Sequence, residues 1–137
     1  MNWIHNGKEI LSHEDLSDDV VGFVYLITYT NGKKYVGKKL VRGIRKLRPT
    51  KKQLAIRKNY KRTEEQDLPF TNYNGSSKMS EGLTIQSKEI LELCSDKLNT
   101  TYCETKWLMR LDVLCDETYL NENIAGTYYR GKITKGL

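Results

Sequence analysis

Charge is the first chemical signal in the chain. Of its 23 Lys and Arg residues, 14 fall between positions 33 and 62, a stretch with no acid, which leaves 9 to face all 17 Asp and Glu. Concentrating the net charge of +6 in this way raises the local positive potential well above that of an even distribution, and the commonest partner is a phosphate backbone. The alternative is a solvated basic face. The second signal is one carboxylate. Taken as a helix, residues 100–115 place Leu111, Cys115, Leu108 and Trp107 within about 60° of Glu104, in the middle of the apolar face. A lone carboxylate is costly to bury there unless something cationic receives it. The alternative reading is a capping box with Thr101, in which Glu104 folds back on its own helix start.

Thiol and imidazole chemistry is less promising. Cys94, Cys103 and Cys115 are odd in number and form no CxxC pair, and His5 and His13 both lie near the N-terminus. Reduced core thiols are expected and a zinc cluster is not.

The elements that must position these groups belong to one domain, since 137 residues suit a single core. We expect an N-terminal lead over residues 1–21 and one domain over 22–137, with a basic insertion around 50–71. Residues 22–30 and 33–37 are rich in β-formers and flank Asn31-Gly32, which predicts a hairpin with a type I′ turn. Leu40, Val41, Ile44 and Leu47 then recur at helical spacing up to Pro49, which predicts a short amphipathic helix over 38–48, with Gly43 as its weak point. Residues 50–62 read as a second helix or an exposed basic loop, and 63–82 as a loop. Residues 84–94 fit a strand or a helix on periodicity alone. The segment after Tyr119 is irregular, broken by Gly126, Gly131 and Gly136. No apolar run is long enough for a membrane helix, and the acidic first twenty residues do not read as a signal peptide, so a cytoplasmic location is expected.

Several segments resemble a known family. Val24-Tyr25-Leu26, then Tyr35-Val36-Gly37 ten residues on, Arg45 ten residues beyond that, Glu104 on a later helix and Asn121 after it are similar to the GIY-YIG endonucleases. The runs 34–39 (KYVGKK), 73–78 (YNGSSK), 89–92 (EILE) and 102–104 (YCE) resemble small phage-encoded members. The resemblance covers residues 22–125. It implies an α+β fold, a small antiparallel three-stranded sheet flanked by helices, with residues 88–93 as its third strand. It also implies hydrolysis of DNA phosphodiester bonds with a divalent metal.

Under that resemblance, Tyr25 acts as or orients the general base, its phenolate favoured by the neighbouring cations. Tyr35 hydrogen-bonds the phosphate or the water. Arg45 neutralises phosphoryl charge by a forked contact, with Arg42 and Arg48 as competitors. Glu104 binds Mg²⁺ (or Mn²⁺). Asn121 braces the site, with Asn123 as the alternative. Lys38, Lys39, Arg42, Arg48, Lys51, Lys52, Arg57 and Lys58 are expected to contact DNA phosphates. Tyr60 and Tyr73 are expected to pack on the surface.

The sequence departs from the family in three ways. Gly22 stands three positions before Tyr25 rather than two, residues 50–71 are largely an insertion, and no separate DNA-binding domain follows. The expected function is a Mg²⁺-dependent DNA endonuclease cutting one strand per site, so a double-strand break calls for a homodimer or two events. The alternative is a non-catalytic basic module that binds nucleic acid, without metal dependence. A third reading, docking of an acidic protein, leaves the tyrosine pair and Glu104 unexplained.

Overall fold

In the computed structural model, which describes residues 1–134 and Gly136, the chain starts with a hairpin instead of a lead. β1 (Trp3–His5) and β2 (Lys8–Ile10) pair antiparallel, His5 opposite Lys8. Asn6 and Gly7 between them both have positive φ, 50° and 81°, the backbone of a type I′ turn. Trp3 is fully buried and its Nε1 donates to the Phe70 carbonyl at 2.9 Å. Part of residues 1–21 therefore belongs to the sheet and the core.

β3 (Gly22–Tyr29) and β4 (Lys34–Leu40) form the expected hairpin, in register from Gly22 opposite Leu40 to Thr28 opposite Lys34. Its turn is not type I′. Only Gly32 of the Asn-Gly pair has positive φ, 86°. Gly32 N–H donates to the Tyr29 carbonyl at 2.9 Å and Tyr29 N–H to the Lys33 carbonyl at 2.8 Å. This closes a three-residue loop ending in a left-handed glycine. Asn31 Oδ1 accepts the Lys33 N–H at 3.0 Å, a local bond that favours this turn.

The helix expected over 38–48 does not form. β4 runs on to Leu40, and β5 (Arg42–Leu47) pairs antiparallel with β6 (Arg62–Asp67), Arg42 opposite Asp67 and Arg45 opposite Glu64. Two causes act together: Gly43 and the β-branched Val41 and Ile44 are poor helix formers, and the acids of 64–67 meet the bases of 42–46 across the strands. The loop expected over 63–82 thus begins as a strand. Between β5 and β6 lies α1 (Lys51–Ile56), started by a reciprocal Thr50–Gln53 capping box and burying no residue. This ribbon packs chiefly on itself and is fastened at its base by Arg42, which donates to the Ser17 carbonyl at 2.7 Å.

β7 (Ile85–Cys94) is the expected third strand, antiparallel to β3, but β1 also joins it in parallel. The sheet is therefore mixed and five-stranded, in the order β2-β1-β7-β3-β4, with the three expected antiparallel strands at one side of it. α2 (Lys97–Arg110) lies across β3, β4 and β7. Its N-cap is Asp96, accepting from Asn99 N–H at 2.7 Å, so the Thr101–Glu104 capping box is not its start. The helix expected to reach residue 115 stops at Leu111, where Asp112 turns left-handed (φ 50°), and a 3₁₀ turn follows at Val113–Cys115. β8 (Asn123–Ile124) and β9 (Tyr128–Tyr129) form a small terminal hairpin.

β3 is buried on both faces. Phe23, Tyr25, Ile27 and Tyr29 join Trp3 and Phe70 on one side, and Val24 joins Val36, Cys103 and Leu108 under α2 on the other. Cys94, Cys103 and Cys115 are free thiols. Among the described residues no helix is long and apolar enough to cross a membrane.

Candidate active site

The outer edge of β4 is closed at every second residue, as the pleat requires for groups pointing the same way. Lys34 N–H donates to the Thr118 carbonyl at 2.8 Å, and Leu120 N–H donates to the Lys34 carbonyl at 2.7 Å. At Val36 the partner is a side chain: the buried Asn121 accepts Val36 N–H on Oδ1 at 3.1 Å and donates from Nδ2 to the Val36 carbonyl at 2.8 Å. At Lys38 the backbone N–H is received by the Glu104 carboxylate, projecting from α2. Asn123 is exposed and accepts Gly126 N–H at 3.1 Å, so it serves a turn.

On the opposite face, Tyr25 is fully buried, its ring centroid 5.2 Å from that of Trp3, 5.9 Å from Tyr73 and 6.3 Å from Tyr35. Its hydroxyl passes over Gly37, where a Cβ would lie 2.4 Å from it. The glycine of Tyr35-Val36-Gly37 thus makes room for the other tyrosine. Tyr25 Oη and Tyr73 Oη are 3.5 Å apart, as are Tyr35 Oη and Ser76 Oγ.

Tyr73 and Ser76 come from the loop before β7, which Lys88 holds. Its ammonium, in a residue 1% exposed, donates to the carbonyls of Thr71 at 3.2 Å and Tyr73 at 2.7 Å and to Asn74 Oδ1 at 3.2 Å. It also lies 4.4 Å from the Trp3 ring centroid. Burial pulls its pKa down. Tyr73, expected on the surface, instead packs on Tyr25 with Lys39 Nζ 4.8 Å from its ring centroid.

Burial pushes the Tyr25 phenol far above its ordinary range, with the Tyr73 hydrogen bond adding to it and the charge of Glu104 among the lesser causes. Burial thus opposes the Tyr25 phenolate that neighbouring cations were expected to favour. Tyr35 is also raised, mainly by burial, with the Ser76 hydrogen bond opposing. Burial raises Glu104 as well, against the ammonium and backbone N–H of Lys38. Lys38 Nζ itself donates to Thr101 Oγ1 at 2.7 Å.

Tyr35, Glu104 and Asn121 line one cavity of about 640 Å³ together with Ser76, Lys78 and Glu122. Tyr25 stands behind Tyr35. Arg45 is not brought there: it lies on the ribbon, half exposed, paired with Glu64. Arg42 is occupied by the carbonyls of Ser17 and Val20 and by Asp67 at 3.7 Å. Arg48, Lys51, Lys52, Arg57 and Lys58 are exposed on the outer ribbon.

Sequence reasoning passed over Ser76 and Lys88 and undervalued Tyr73. The signal for Lys88 was present in its phase, since it faces Ile27 as Ile90 faces Tyr25.

The fold also gathers Glu92, Cys94 and Cys103, whose ligand atoms all lie within 4.8 Å of one another. Spacing alone had not suggested this. Glu92 already accepts from Cys103 Sγ at 3.0 Å and Trp107 Nε1 at 2.9 Å, and pairs with Lys106 at 3.0 Å. Burial pushes the Cys103 thiol up to about 12. The donors are soft and the carboxylate is satisfied, so this knot fastens α2 to β7 and does not suit a hard cation.

A family model described as "Putative endonuclease segE, GIY-YIG domain" matches residues 3–124. No curated protein and no solved structure matches the chain significantly. The match runs from the first residue of β1 to the last of β8 and so takes in every element of the five-stranded sheet, α2 and the segment that braces β4. On that match, and on the tyrosine pair that shares one strand hairpin, the chain belongs to the GIY-YIG endonuclease family, of the segE type, a family that implies nuclease action on DNA.

Proposed function

We propose that the protein is a divalent-metal-dependent DNA endonuclease whose metal, Mg²⁺ or Mn²⁺, is held by Glu104. One observation carries the reading. Glu104 lines a polar cavity, is raised by burial, and makes no ion pair, the ion pairs among the described residues being Arg42–Asp67, Arg45–Glu64 and Lys106–Glu92. The donors fit a hard ion: one carboxylate, with Glu122 also lining the cavity, suffices for a cation that keeps most of its waters. The ion, when bound, supplies stabilisation of charge on the phosphate and the leaving oxygen.

The chain's own groups divide the remaining work. Tyr35, on the cavity wall, hydrogen-bonds the phosphate or the attacking water. Tyr25 keeps its proton and orients Tyr35 and Tyr73 by packing and hydrogen bonding, which narrows its role to positioning. With Arg45 elsewhere, Lys78, which lines the cavity, is placed to meet phosphoryl oxygens bound there, and Lys38 adjoins Glu104. Asn121 keeps β4 straight, so that Tyr35 and the Lys38 N–H hold their spacing. The outer ribbon's cations, Arg48, Lys51, Lys52, Arg57 and Lys58, grip the DNA backbone, giving affinity with little sequence information. One cavity per chain cuts one strand; a double-strand break then needs a homodimer or two events. The segE-type match supports a phage nuclease acting on DNA in the host cytoplasm.

Plasmid nicking tests this. Activity is expected with Mg²⁺ or Mn²⁺ and lost in EDTA, and Glu104→Gln lowers it at least about a hundredfold; metal-independent or undiminished cleavage overturns the reading. The pairing of Arg45 with Glu64 favours a second reading, a non-catalytic DNA-binding module, which predicts salt-sensitive binding and no nicking in any metal.

A further inference from the structure

The ribbon has a feature that holding phosphates does not explain. At its base the charges cancel, Arg42 with Asp67 and Arg45 with Glu64. From Lys46 to Arg62 there are 8 bases and no acid. In the middle of this cationic tip sits α1, six residues long and burying none of them. So short a helix is not stable by propensity; the Thr50–Gln53 capping box and the strands on either side hold it in place. At its end Ile56 is 82% exposed, directly before Arg57 and Lys58. Leu54, two residues before it, is 43% exposed, and scattered exposed apolar residues are ordinary on a protein surface. Ile56 is held on a projection with cations on both sides, where the described residues leave most of it uncovered.

We propose that the tip is a wedge: Ile56 inserts between neighbouring base pairs of a duplex while the surrounding Lys and Arg hold the phosphates, and the DNA kinks there. The inference rests on the nucleic-acid reading of the basic block and adds the form of DNA that the protein prefers. The cations that flank Ile56 and the absence of any acid beside it match a polyanion with an apolar interior, which a base stack is. An apolar side chain pushed between base steps from a basic projection is an established way of bending a duplex. A second copy of the chain is disfavoured as the occupant, because two tips of eight cations repel. An anionic membrane is disfavoured because Leu54 and Ile56 on a six-residue helix offer too small an apolar face to bury in lipid. The cheapest target is a flexible pyrimidine–purine step such as TA. Bending would add selectivity for deformable sequence, in a chain whose cationic contacts alone carry little.

The test uses the full chain in EDTA, so that nothing is cut, with a duplex of about 30 base pairs carrying a dye at each end and 2-aminopurine beside a central TA step. Saturating protein is expected to raise the 2-aminopurine fluorescence severalfold and to bring the dyes closer. Ile56→Ser, which touches no core residue, should abolish both changes and leave the salt dependence of binding as it was; Ile56→Leu should restore them. Lys51→Ala with Lys52→Ala should do the reverse, flattening the salt slope by about two while the rise at saturation persists. Salt-dependent binding with no rise in the wild type, or an equal rise with Ile56→Ser, overturns the wedge alone. No salt-dependent binding to DNA at all overturns the wedge and the nucleic-acid reading together, as does an Ile56-dependent preference for anionic vesicles over duplex.

Discussion

Asn121 pairs with the backbone of Val36 as another strand would, one amide atom accepting the N–H at 3.1 Å and the other donating to the carbonyl at 2.8 Å. It continues by side chain an edge that residues 118–120 begin by backbone and Glu104 ends by carboxylate. Asn121→Ala leaves both Val36 groups buried and unpaired, and is expected to cost about 1–3 kcal/mol. Asn121→Asp keeps an acceptor but sets a buried carboxylate oxygen against the Val36 carbonyl, so it should cost at least as much as Ala in thermal melts at neutral pH and also lower nicking. Equal stability of all three proteins would remove the brace.

Glu104 sets function against stability. Its pKa is raised by burial, so the folded state holds the proton more tightly than the unfolded chain does, and its charge opposes folding as pH rises from the ordinary carboxylate range through the raised folded value. Glu104→Gln carries no such charge. The variant should melt higher than the wild type at neutral pH, with the gap closing as pH falls below the ordinary carboxylate range, even though its nicking should be far weaker. Melting curves across pH read this directly; a variant that melts lower at neutral pH contradicts it.

Metal should reverse that order. A divalent ion bound by the native carboxylate and not by the unfolded chain stabilises by mass action, so Mg²⁺ or Mn²⁺ should raise the wild-type melting temperature and leave that of Glu104→Gln in place. If both proteins respond alike, the ion binds elsewhere.

Gly37 is where the two tyrosine motifs meet. A methyl group there would lie 2.4 Å from the Tyr25 hydroxyl, and Tyr25 is walled in by Trp3, Phe23 and Tyr73. Gly37→Ala should cost about 1–3 kcal/mol by overpacking and reduce nicking by displacing Tyr35 and Tyr73 with Tyr25. Urea denaturation and nicking rates together check it; an unchanged midpoint would mean that Tyr25 has somewhere to go.

Lys88 holds the loop that supplies Tyr73 and Ser76. Lys88→Met keeps the bulk but strands the carbonyls of Thr71 and Tyr73, at about 1–3 kcal/mol. Hydrogen exchange should quicken at residues 71–77 more than elsewhere, and activity should drop while binding to the outer ribbon persists. Uniformly faster exchange would assign Lys88 a core role only.

What the sequence determined by itself was local or compositional. The β3–β4 hairpin and a helix carrying Glu104 follow from β-branched runs, Asn-Gly and apolar periodicity, the strand at β7 follows only from the family resemblance, and the basic block follows from counting. The ten-residue spacing from Tyr25 to Tyr35 named the family because a hairpin converts sequence spacing into cross-strand neighbours. Long-range pairing was decided only in three dimensions. Apolar spacing over 38–48 suits a helix, but Glu64 and Asp67 across the ribbon make it a strand, and that carries Arg45 away from the cavity where its offset from Tyr35 had placed it. Of two Asn-Gly pairs, Asn6-Gly7 takes the type I′ turn while the Asn31 side chain bends the other into a longer loop. Trp3 joined the core because β1 finds β7 more than eighty residues later. Burial, which no residue carries alone, sets the direction of the electrostatics: it raises Tyr25, lowers Lys88, and leaves Glu104 as a raised carboxylate with no ion pair among the described residues.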